Sequence, residues 1–436
     1  MSLRPALLTT ALGLALLLAG SASFAQDKDW DDDWGEDEWN QAESSGLSWT
    51  GFAEGGLGSR WHKDEKVDRY GTLAEARLRL ETAYATDAFT LSFKGDAAID
   101  GITEEFAGDI RELAIAGRPL ESLDVKAGRQ VLTWGTGDLL FLNDLFPKDF
   151  VSFFAGREDE YLKAPSNTIR LTQYNDVLNI DFAWTPVFKP DDYITGERFS
   201  FFFPPVGDIV APVPPFGADR PSRKFSNGEF SLRLFRTLNG VEYALYAHRG
   251  YFKNPTDFSD PGRIWFAPLT SVGGSVRRPL WSGLWNAEFS YYVSRDDSDG
   301  SNPALPNDQL RFLTGFEREW ATNFTVGLQY YLEWTQDHDR LIANSPFPEF
   351  EPDEYRHLLT TRFSYRAMQE NLIWSLFAFL SPSDQDVYFR PVVNYRHDDA
   401  WNFTAGLNLF GGQENYTFFG QFEDATNAYM RVRYNY

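Results

Sequence analysis

The chain has 436 residues, with 40 Lys and Arg against 63 Asp and Glu, and a formal net charge of −23 at pH 7. This acidic balance argues against a partner bound through a nucleic-acid phosphate backbone. The chain has no cysteine, which excludes disulfides and thiolate metal sites. Aromatic residues make up 17% of it, yet no stretch after the N-terminal segment holds eighteen consecutive apolar residues. A helical membrane protein is therefore disfavoured, and a membrane β-barrel or a large periplasmic β-protein remains.

The N-terminal segment has the pattern of a cleavable signal peptide. Arg4 precedes an apolar run from Ala6 to Ala19, and small residues lead to Ser23-Phe24-Ala25. The run is shorter than a membrane-spanning helix requires. We therefore predict a signal peptide over residues 1–25, a mature N-terminus near Gln26, and export to the outer membrane of a Gram-negative bacterium.

Residues 26–46 form an acidic segment before the first strand. It contains nine acidic residues and three tryptophans, Trp30, Trp34 and Trp39. Such a composition is typical of a disordered acidic tail, but the tryptophan spacing also fits one side of a helix. Two further hypotheses follow for residues 26–45: they dock a periplasmic or inner-membrane export partner, or they plug the lumen of the barrel.

From residue 47 onward the sequence alternates apolar and polar residues, as in Phe324-Val326-Leu328 and in Trp401-Phe403-Ala405. These segments have the length that crosses a bilayer when tilted, and short connections alternate with long ones. We predict an all-β, antiparallel transmembrane β-barrel over residues 47–436 with about 18 strands. The count drops to 16 if either of the irregular segments, 109–116 or 263–278, does not form a strand. The predicted strands are 47–61, 72–85, 88–100, 109–116, 123–134, 167–174, 178–187, 229–238, 241–251, 263–278, 281–294, 309–320, 323–336, 357–367, 371–380, 387–396, 401–411 and 428–436.

The last strand has an apolar face that ends on Tyr434 and Tyr436. A terminal strand of this kind is similar to the signal that the outer-membrane assembly machinery recognises. We therefore expect that machinery, together with outer-membrane lipid and lipopolysaccharide, as partners. Pairing of the last strand with the first would remove both sheet edges, as lipid requires.

The polar face of the strands predicts the lining of the lumen. Its basic residues are Arg77, Arg79, Lys94, Arg170, Arg233, Arg311, Arg362, Arg366, Arg390, Arg396, Arg431 and Arg433. Its acidic residues are Glu75, Glu81, Asp96, Asp181, Glu242, Glu317, Glu319 and Glu333. A basic wall favours anions in a channel. The alternative is that opposite charges neutralise one another across a solvated wall.

Two long connections, 139–165 and 199–223, are unusually apolar. Their aromatic residues include Phe141, Phe146, Phe153, Phe201 and Phe216. Apolar loops favour buried positions, so we predict that one or both fold into the lumen and constrict the pore. Alternatively, they pack on one another above the barrel or contact lipopolysaccharide.

Enzymatic motifs are weak in this sequence. None of the five histidines has metal-ligand spacing with another, and we find no Gly-x-Ser-x-Gly elbow or phosphate-binding glycine loop. We expect no enzymatic activity, metal or cofactor. A barrel hydrolase that uses a Ser/His pair ranks third among the functions, and replacement of His248 would test it.

Gly128-Arg129-Gln130, which leads into Trp134-Gly135-Thr136-Gly137-Asp138, resembles the alginate-export type of outer-membrane protein and related porin-like families. The resemblance implies a barrel channel and assigns Arg129 to the substrate pathway. The apolar loops and the acidic segment differ from a polysaccharide exporter and point towards amphiphilic compounds. We therefore expect a passive channel for a small anionic, polysaccharide or amphiphilic substrate, gated by in-folded loops. The alternative is a structural barrel that docks an export partner.

Overall fold

The computed structural model describes residues 46–260 and 263–436. The predicted signal peptide and the acidic segment up to residue 45 lie outside the described residues. Most described residues lie in strands, which are β1 (Gly46–Asp64), β2 (Arg69–Ala85), β3 (Thr90–Asp100), β4 (Glu105–Leu120), β5 (Leu123–Gln130), β6 (Ser166–Gln173), β7 (Asn179–Thr185), β8 (Phe201–Phe203), β9 (Asp208–Val210), β10 (Glu229–Leu238), β11 (Val241–Tyr251), β12 (Pro268–Leu280), β13 (Gly283–Ser294), β14 (Gln309–Ala321), β15 (Phe324–Thr335), β16 (Tyr355–Ala367), β17 (Leu372–Ser381), β18 (Asp386–Arg396), β19 (Trp401–Gly412) and β20 (Asn427–Asn435). Two short helices, α1 (Phe150–Ala155) and α2 (His338–Asn344), lie in connections.

Eighteen of these strands form one closed antiparallel sheet. Each strand pairs with the next along the chain, β7 pairs with β10 across the short β8–β9 hairpin, and β20 returns to β1. The closing ladder runs from Phe52 opposite Asn435 to Arg60 opposite Asn427. Because the barrel is closed, its sheet has no free edge to expose in lipid.

The predicted strand pattern is confirmed, including the two least regular segments, which form β4 and β12. Two details differ. Strand β5 ends at Gln130 rather than at residue 134, because the chain turns into the lumen there. The β8–β9 hairpin was not predicted, since its three-residue strands are too short to show a period.

The two ends of the barrel differ in their connections. At one end every turn is short: 86–89, 121–122, 174–178, 239–240, 281–282, 322–323, 368–371 and 397–400. At Asn239 and Gly240 both φ angles are positive, 53° and 75°, as a two-residue hairpin turn requires. The other end carries the long connections 131–165, 186–228, 252–267, 295–308, 336–354 and 413–426. In outer-membrane barrels the short turns are periplasmic and the long loops extracellular.

The outer face of the barrel is apolar and exposed, as at Leu245 (59%) and Met430 (55%). Polar side chains alternate inward, and Arg79 and Asp181 are almost fully buried. No helix among the described residues is long and apolar enough to cross a membrane. Aromatic side chains also fill part of the interior, where Leu142, Phe153 and Phe154 of the first long loop belong to one buried cluster. The barrel is therefore not an open tube.

Candidate transport pathway

The connection 131–165, here called the constriction loop, is fastened to the barrel wall by Glu288 of β13. This carboxylate is 2% exposed. It accepts hydrogen bonds from the amides of Thr136 (2.7 Å) and Asn143 (2.9 Å) and from the Asn143 side chain (2.8 Å). Gly135 has φ +88°, and a Cβ there would meet Glu288 Oε1 at 3.0 Å. A charged acceptor with several donors is a strong anchor, and it holds the start of the loop against β13.

The same end of the loop is also held by β15 and β16. Arg362 Nε and Nη2 donate to the two carboxylate oxygens of Asp138 at 2.5 and 2.7 Å. Gln329 accepts from the Asp138 amide and donates to its carbonyl, both at 2.9 Å. Asp138 is thereby fixed through its side chain and its backbone.

The far end of the constriction loop contacts the opposite wall through three consecutive acids. Glu158 bridges Arg431 and Arg433 of β20. Asp159 Oδ1 lies 2.5 Å from Arg390 Nη1 of β18, and Glu160 pairs with Arg79 of β2. The loop therefore crosses the lumen from β13–β16 to β18, β20 and β2.

Charged contacts keep Glu160 ionised, and aromatic contacts pack Tyr161 against the wall. Burial alone raises the pKa of Glu160, but Arg79, Lys94 and Arg111 outweigh it and lower that pKa to about 2. Tyr161 Oη donates to Asp96 at 2.8 Å, and its ring packs under the guanidinium of Arg77 at 4.4 Å. Glu160 therefore carries its charge at neutral pH.

Helix α1 fills the middle of the crossing with apolar side chains. Asp149 caps it by accepting from the Ser152 amide at 2.7 Å. Phe154 then packs 5.8 Å from Tyr388 and 5.1 Å from Phe410, which point inward from β18 and β19. The ring of Phe153 also contacts Tyr388, at 5.9 Å. These contacts close the lumen on the β18–β19 side.

The connection 186–228, here called the cap loop, lies against the constriction loop. Its Phe199 is fully buried 6.4 Å from Phe154. Arg198 donates to the Thr72 carbonyl at 2.6 Å. Asp191 accepts from the Lys148 amide at 2.7 Å, and burial raises its pKa to about 6. The two loops thus form one connected body at the extracellular end.

The predicted loop aromatics occupy different places. Phe153 lies in the lumen cluster, and Phe146 packs 5.0 Å from Trp134 in a second buried cluster. Phe141 lines the cavity described next. Phe201 and Phe216 pack on each other at 5.5 Å within the cap loop, and Phe201 also packs against the lumen cluster.

Beneath the constriction loop is a cavity of about 720 Å³, here called the vestibule. It reaches the periplasmic end, since Tyr174, Thr237, Leu284 and Ile373 at strand ends line it. Nine basic and five acidic residues line it: Arg118, Lys163, Arg170, Arg233, Arg277, Arg362, Arg366, Arg390 and Arg431 against Asp138, Asp144, Asp159, Glu242 and Glu317. By formal charge the vestibule is basic, although the whole chain is acidic.

The remaining predicted lumen residues lie on the inner face by strand alternation. Several pair within the wall: Arg170 with Asp181 at 2.7 Å, Arg233 with Glu242 at 2.8 Å, Lys94 with Glu81 at 3.4 Å, and Arg311 with Glu333 at 3.2 Å. Arg77 contacts Glu75 and Asp96. Arg396, near the periplasmic rim, donates to Asn371 at 3.0 Å. In part of the wall, basic side chains are therefore neutralised by acids on the same or a neighbouring strand.

The structure corrects the prediction that Arg129 lies in the substrate pathway. It alternates with the inward Asp124, Lys126 and Gln130, so its side chain lies on the outer face of β5. Its register partner on β4 is Leu113, which is 52% exposed on that face. Arg129 pairs with Asp109 at 3.1 Å. It therefore does not line the lumen, and the resemblance had placed it there from a motif rather than from alternation.

The residues that fasten the constriction loop were not predicted from the sequence. Glu288 was not singled out, and neither were Asp138 or the run Glu158-Asp159-Glu160. That run was a usable signal, because three consecutive acids inside an apolar loop near a basic wall predict ion pairs. Among the described residues, no cluster of three or more His, Asp or Glu side chains is arranged to hold a metal ion.

A closed eighteen-stranded antiparallel barrel with an in-folded loop and a charged lumen defines a porin-type outer-membrane barrel, and the chain has this fold. Three solved outer-membrane porins are similar to it. OccAB3 of Acinetobacter baumannii is 12% identical, over 89% of this chain and 99% of its own, with a TM-score of 0.51. OccK5 of Pseudomonas aeruginosa is 10% identical, over 89% of this chain and 98% of its own, with a TM-score of 0.54. OccK11 of the same organism is 10% identical, over 91% of this chain and 98% of its own, with a TM-score of 0.50.

At these identities the likeness shows the fold. No protein-family model matches the sequence, and no curated protein matches it.

Proposed function

We propose that the protein is a passive outer-membrane channel for small anionic solutes that carry an apolar group. The observation that supports this most directly is the vestibule, where nine basic residues face five acidic ones. A basic lumen of low dielectric concentrates anions and repels cations. The vestibule also presents Phe235, Phe377 and Val392 between the arginines, so an amphiphilic anion fits its lining better than a fully hydrated one.

The constriction loop is the proposed gate. It crosses the lumen and closes the extracellular side of the vestibule, so passage requires it to move. Its far end is held by the ion pairs of Glu158, Asp159 and Glu160 with wall arginines. An anion that competes for those arginines would favour the displaced loop, which couples substrate entry to opening.

Planar-bilayer recordings of the refolded chain from residue 26 test this function. We expect an anion-favouring reversal potential under a salt gradient, and replacement of Arg277 by Gln moves that potential towards zero. Arg278→Gln is the matched control, because Arg278 is the next residue of β12 and is exposed on the outer face. A cation-favouring reversal potential, or equal shifts in both variants, contradicts the proposal.

A second candidate function is a closed barrel that docks an export partner. It is favoured by the two long loops, whose apolar side chains pack together in one buried cluster inside the barrel. In this function residues 26–45 bind a periplasmic or inner-membrane component instead of plugging the vestibule. Correctly folded protein that stays silent in the bilayer, both with and without residues 26–45, supports this candidate. A current that rises when the segment is deleted supports the plug.

A further inference from the structure

One part of the extracellular rim carries a cluster of outward-facing aromatic side chains. Trp184 of β7 stacks on Phe230 of β10, with ring centroids 6.4 Å apart, and contacts Phe225 at 4.6 Å. Trp184 faces outward because Ala183 and Thr185 are buried on the inner face. Phe225 is 71% exposed. Aromatic side chains in this position mark the interface between lipid and water.

Cationic side chains continue this cluster along β11. Arg249 is the register partner of Phe230 and is exposed on the same face. Arg295, just after β13, donates from Nη2 to the Gly250 carbonyl at 2.7 Å and packs over Tyr251 at 5.9 Å. The two guanidinium groups therefore lie on adjacent parts of one surface, and burial together with Arg249 lowers the pKa of Arg295.

Arg295 also has a donor that its protein contacts leave unused. Its Nε is buried and has no hydrogen-bond partner among the described residues. Two more cations, Arg223 and Lys224, directly precede Phe225 on the cap loop. Asp296 beside Arg295 is an exposed acid in this region. We call Trp184, Phe225, Phe230, Arg249 and Arg295 the cationic rim patch.

The next part of the rim has the same aromatic belt with the opposite charge. Tyr291 Oη donates to Asp308 at 3.0 Å, and Trp334 Nε1 donates to Glu354 at 3.2 Å. The rim between β13 and β16 thus presents carboxylates where the rim between β7 and β13 presents guanidinium groups. In a chain with a net charge of −23, a cationic surface of this kind is a local feature and not a consequence of composition.

We propose that the cationic rim patch binds the phosphate groups of a lipopolysaccharide molecule in the outer leaflet. Guanidinium groups bind phosphate through paired hydrogen bonds, and basic side chains beside a membrane attract anionic head groups. The aromatic side chains border the lipid below, where the acyl chains of that molecule would lie. This site depends on the outer-membrane location and not on the proposed channel activity.

The site is tested by measuring, with native mass spectrometry, how tightly the refolded chain in detergent binds purified lipid A. We expect one tightly retained bisphosphorylated lipid A. The double variant Arg249→Gln, Arg295→Gln should weaken its binding at least about ten-fold, because each charged hydrogen bond contributes roughly one order of magnitude. Dephosphorylated lipid A should bind the unmodified chain as weakly as lipid A binds the variant.

The matched control removes two outward cations from the other rim, Arg236→Gln and Arg278→Gln, and should leave the affinity within about two-fold. Heat-dependent gel migration verifies that each variant is folded. Unchanged lipid A affinity in the Arg249 and Arg295 variant overturns the proposal. Complete displacement of lipid A by millimolar inorganic phosphate also overturns it, since the site would then be one for free phosphate. None of these outcomes depends on conductance.

Discussion

Arginines inside the barrel differ in the location of their carboxylate partner, and some, such as Arg79 with Asp96 and Glu160, have partners of both kinds. Wall-paired arginines contact an acid on a neighbouring strand, as Arg170 does with Asp181. Loop-paired arginines contact an acid on the constriction loop, as Arg390 does with Asp159 and Arg362 with Asp138. The first group keeps its partner whatever the loop does. The second loses its partner when the loop moves, so opening of the gate would also make the lumen more basic.

The largest effect is expected from Glu288→Ala, which removes the buried anchor at the near end of the constriction loop, the end that Arg362 and Gln329 also hold through Asp138. The variant leaves the buried amides of Thr136 and Asn143 without an acceptor, at about 4 kcal/mol in total. The loop should then become accessible to protease, and single-channel conductance should rise several-fold. Glu319→Ala, a control at the periplasmic rim of β14, should change neither. Unchanged conductance together with a protected loop would show that Glu288 is not the anchor.

The next comparison sets Arg170→Gln against Arg390→Gln, one member from each group. Asp181 is fully buried, and loss of its cation should lower the free energy of unfolding by about 3 kcal/mol. Arg390→Gln instead frees an acid on the constriction loop, which is the proposed gate, so it should alter the open fraction of the channel more than barrel stability. Denaturant unfolding in micelles and bilayer recordings measure the two properties. If the two substitutions have equal effects on the free energy of unfolding and on the open fraction, wall-paired and loop-paired arginines do not differ in function.

A smaller, pH-dependent effect is expected where the two long loops meet. Burial raises the pKa of Asp191 from 3.8 to about 6. An acid whose pKa is raised by folding contributes stability at pH values below its unfolded pKa, and this contribution is lost as the pH rises through about 6. The contact between Asp191 and the Lys148 amide should therefore open more often at pH 7 than at pH 5.

Hydrogen exchange of the Lys148 amide, corrected for its intrinsic pH dependence, measures this opening. In Asp191→Asn the acid no longer titrates, and the corrected protection should be nearly independent of pH. If protection instead increases between pH 5 and pH 7 in the unmodified chain, ionisation of Asp191 does not weaken this contact and the prediction is wrong.

The smallest effect is expected from Arg129→Gln. Arg129 and Asp109 are both partly exposed, with side chains 28% and 43% accessible. An exposed ion pair contributes less than about 1 kcal/mol, and neither residue borders the vestibule. Conductance and reversal potential should therefore be unchanged. A clear shift in reversal potential would return Arg129 to the substrate pathway.

The strands could be predicted from the sequence because their period of two is a local property. Burial of one face in lipid demands an apolar residue at every second position, so Phe324 to Trp334 show the pattern without reference to other strands. Alternation also places Arg129 outward, and the error came from preferring a short motif to this rule. Even β4 and β12, with few regular positions, were recognisable from their place between turns.

The partners of the constriction loop were decided by the tertiary structure. Its hydrogen bonds to Glu288 join residues 145 and 152 positions apart, and the pair between Asp138 and Arg362 spans 224. No local period connects such residues, because the loop meets the wall only after the barrel has closed. The sequence alone determined the barrel and its strand count. Which of the charges in the lumen face solvent and which face a loop acid depended on how the loop crosses the lumen.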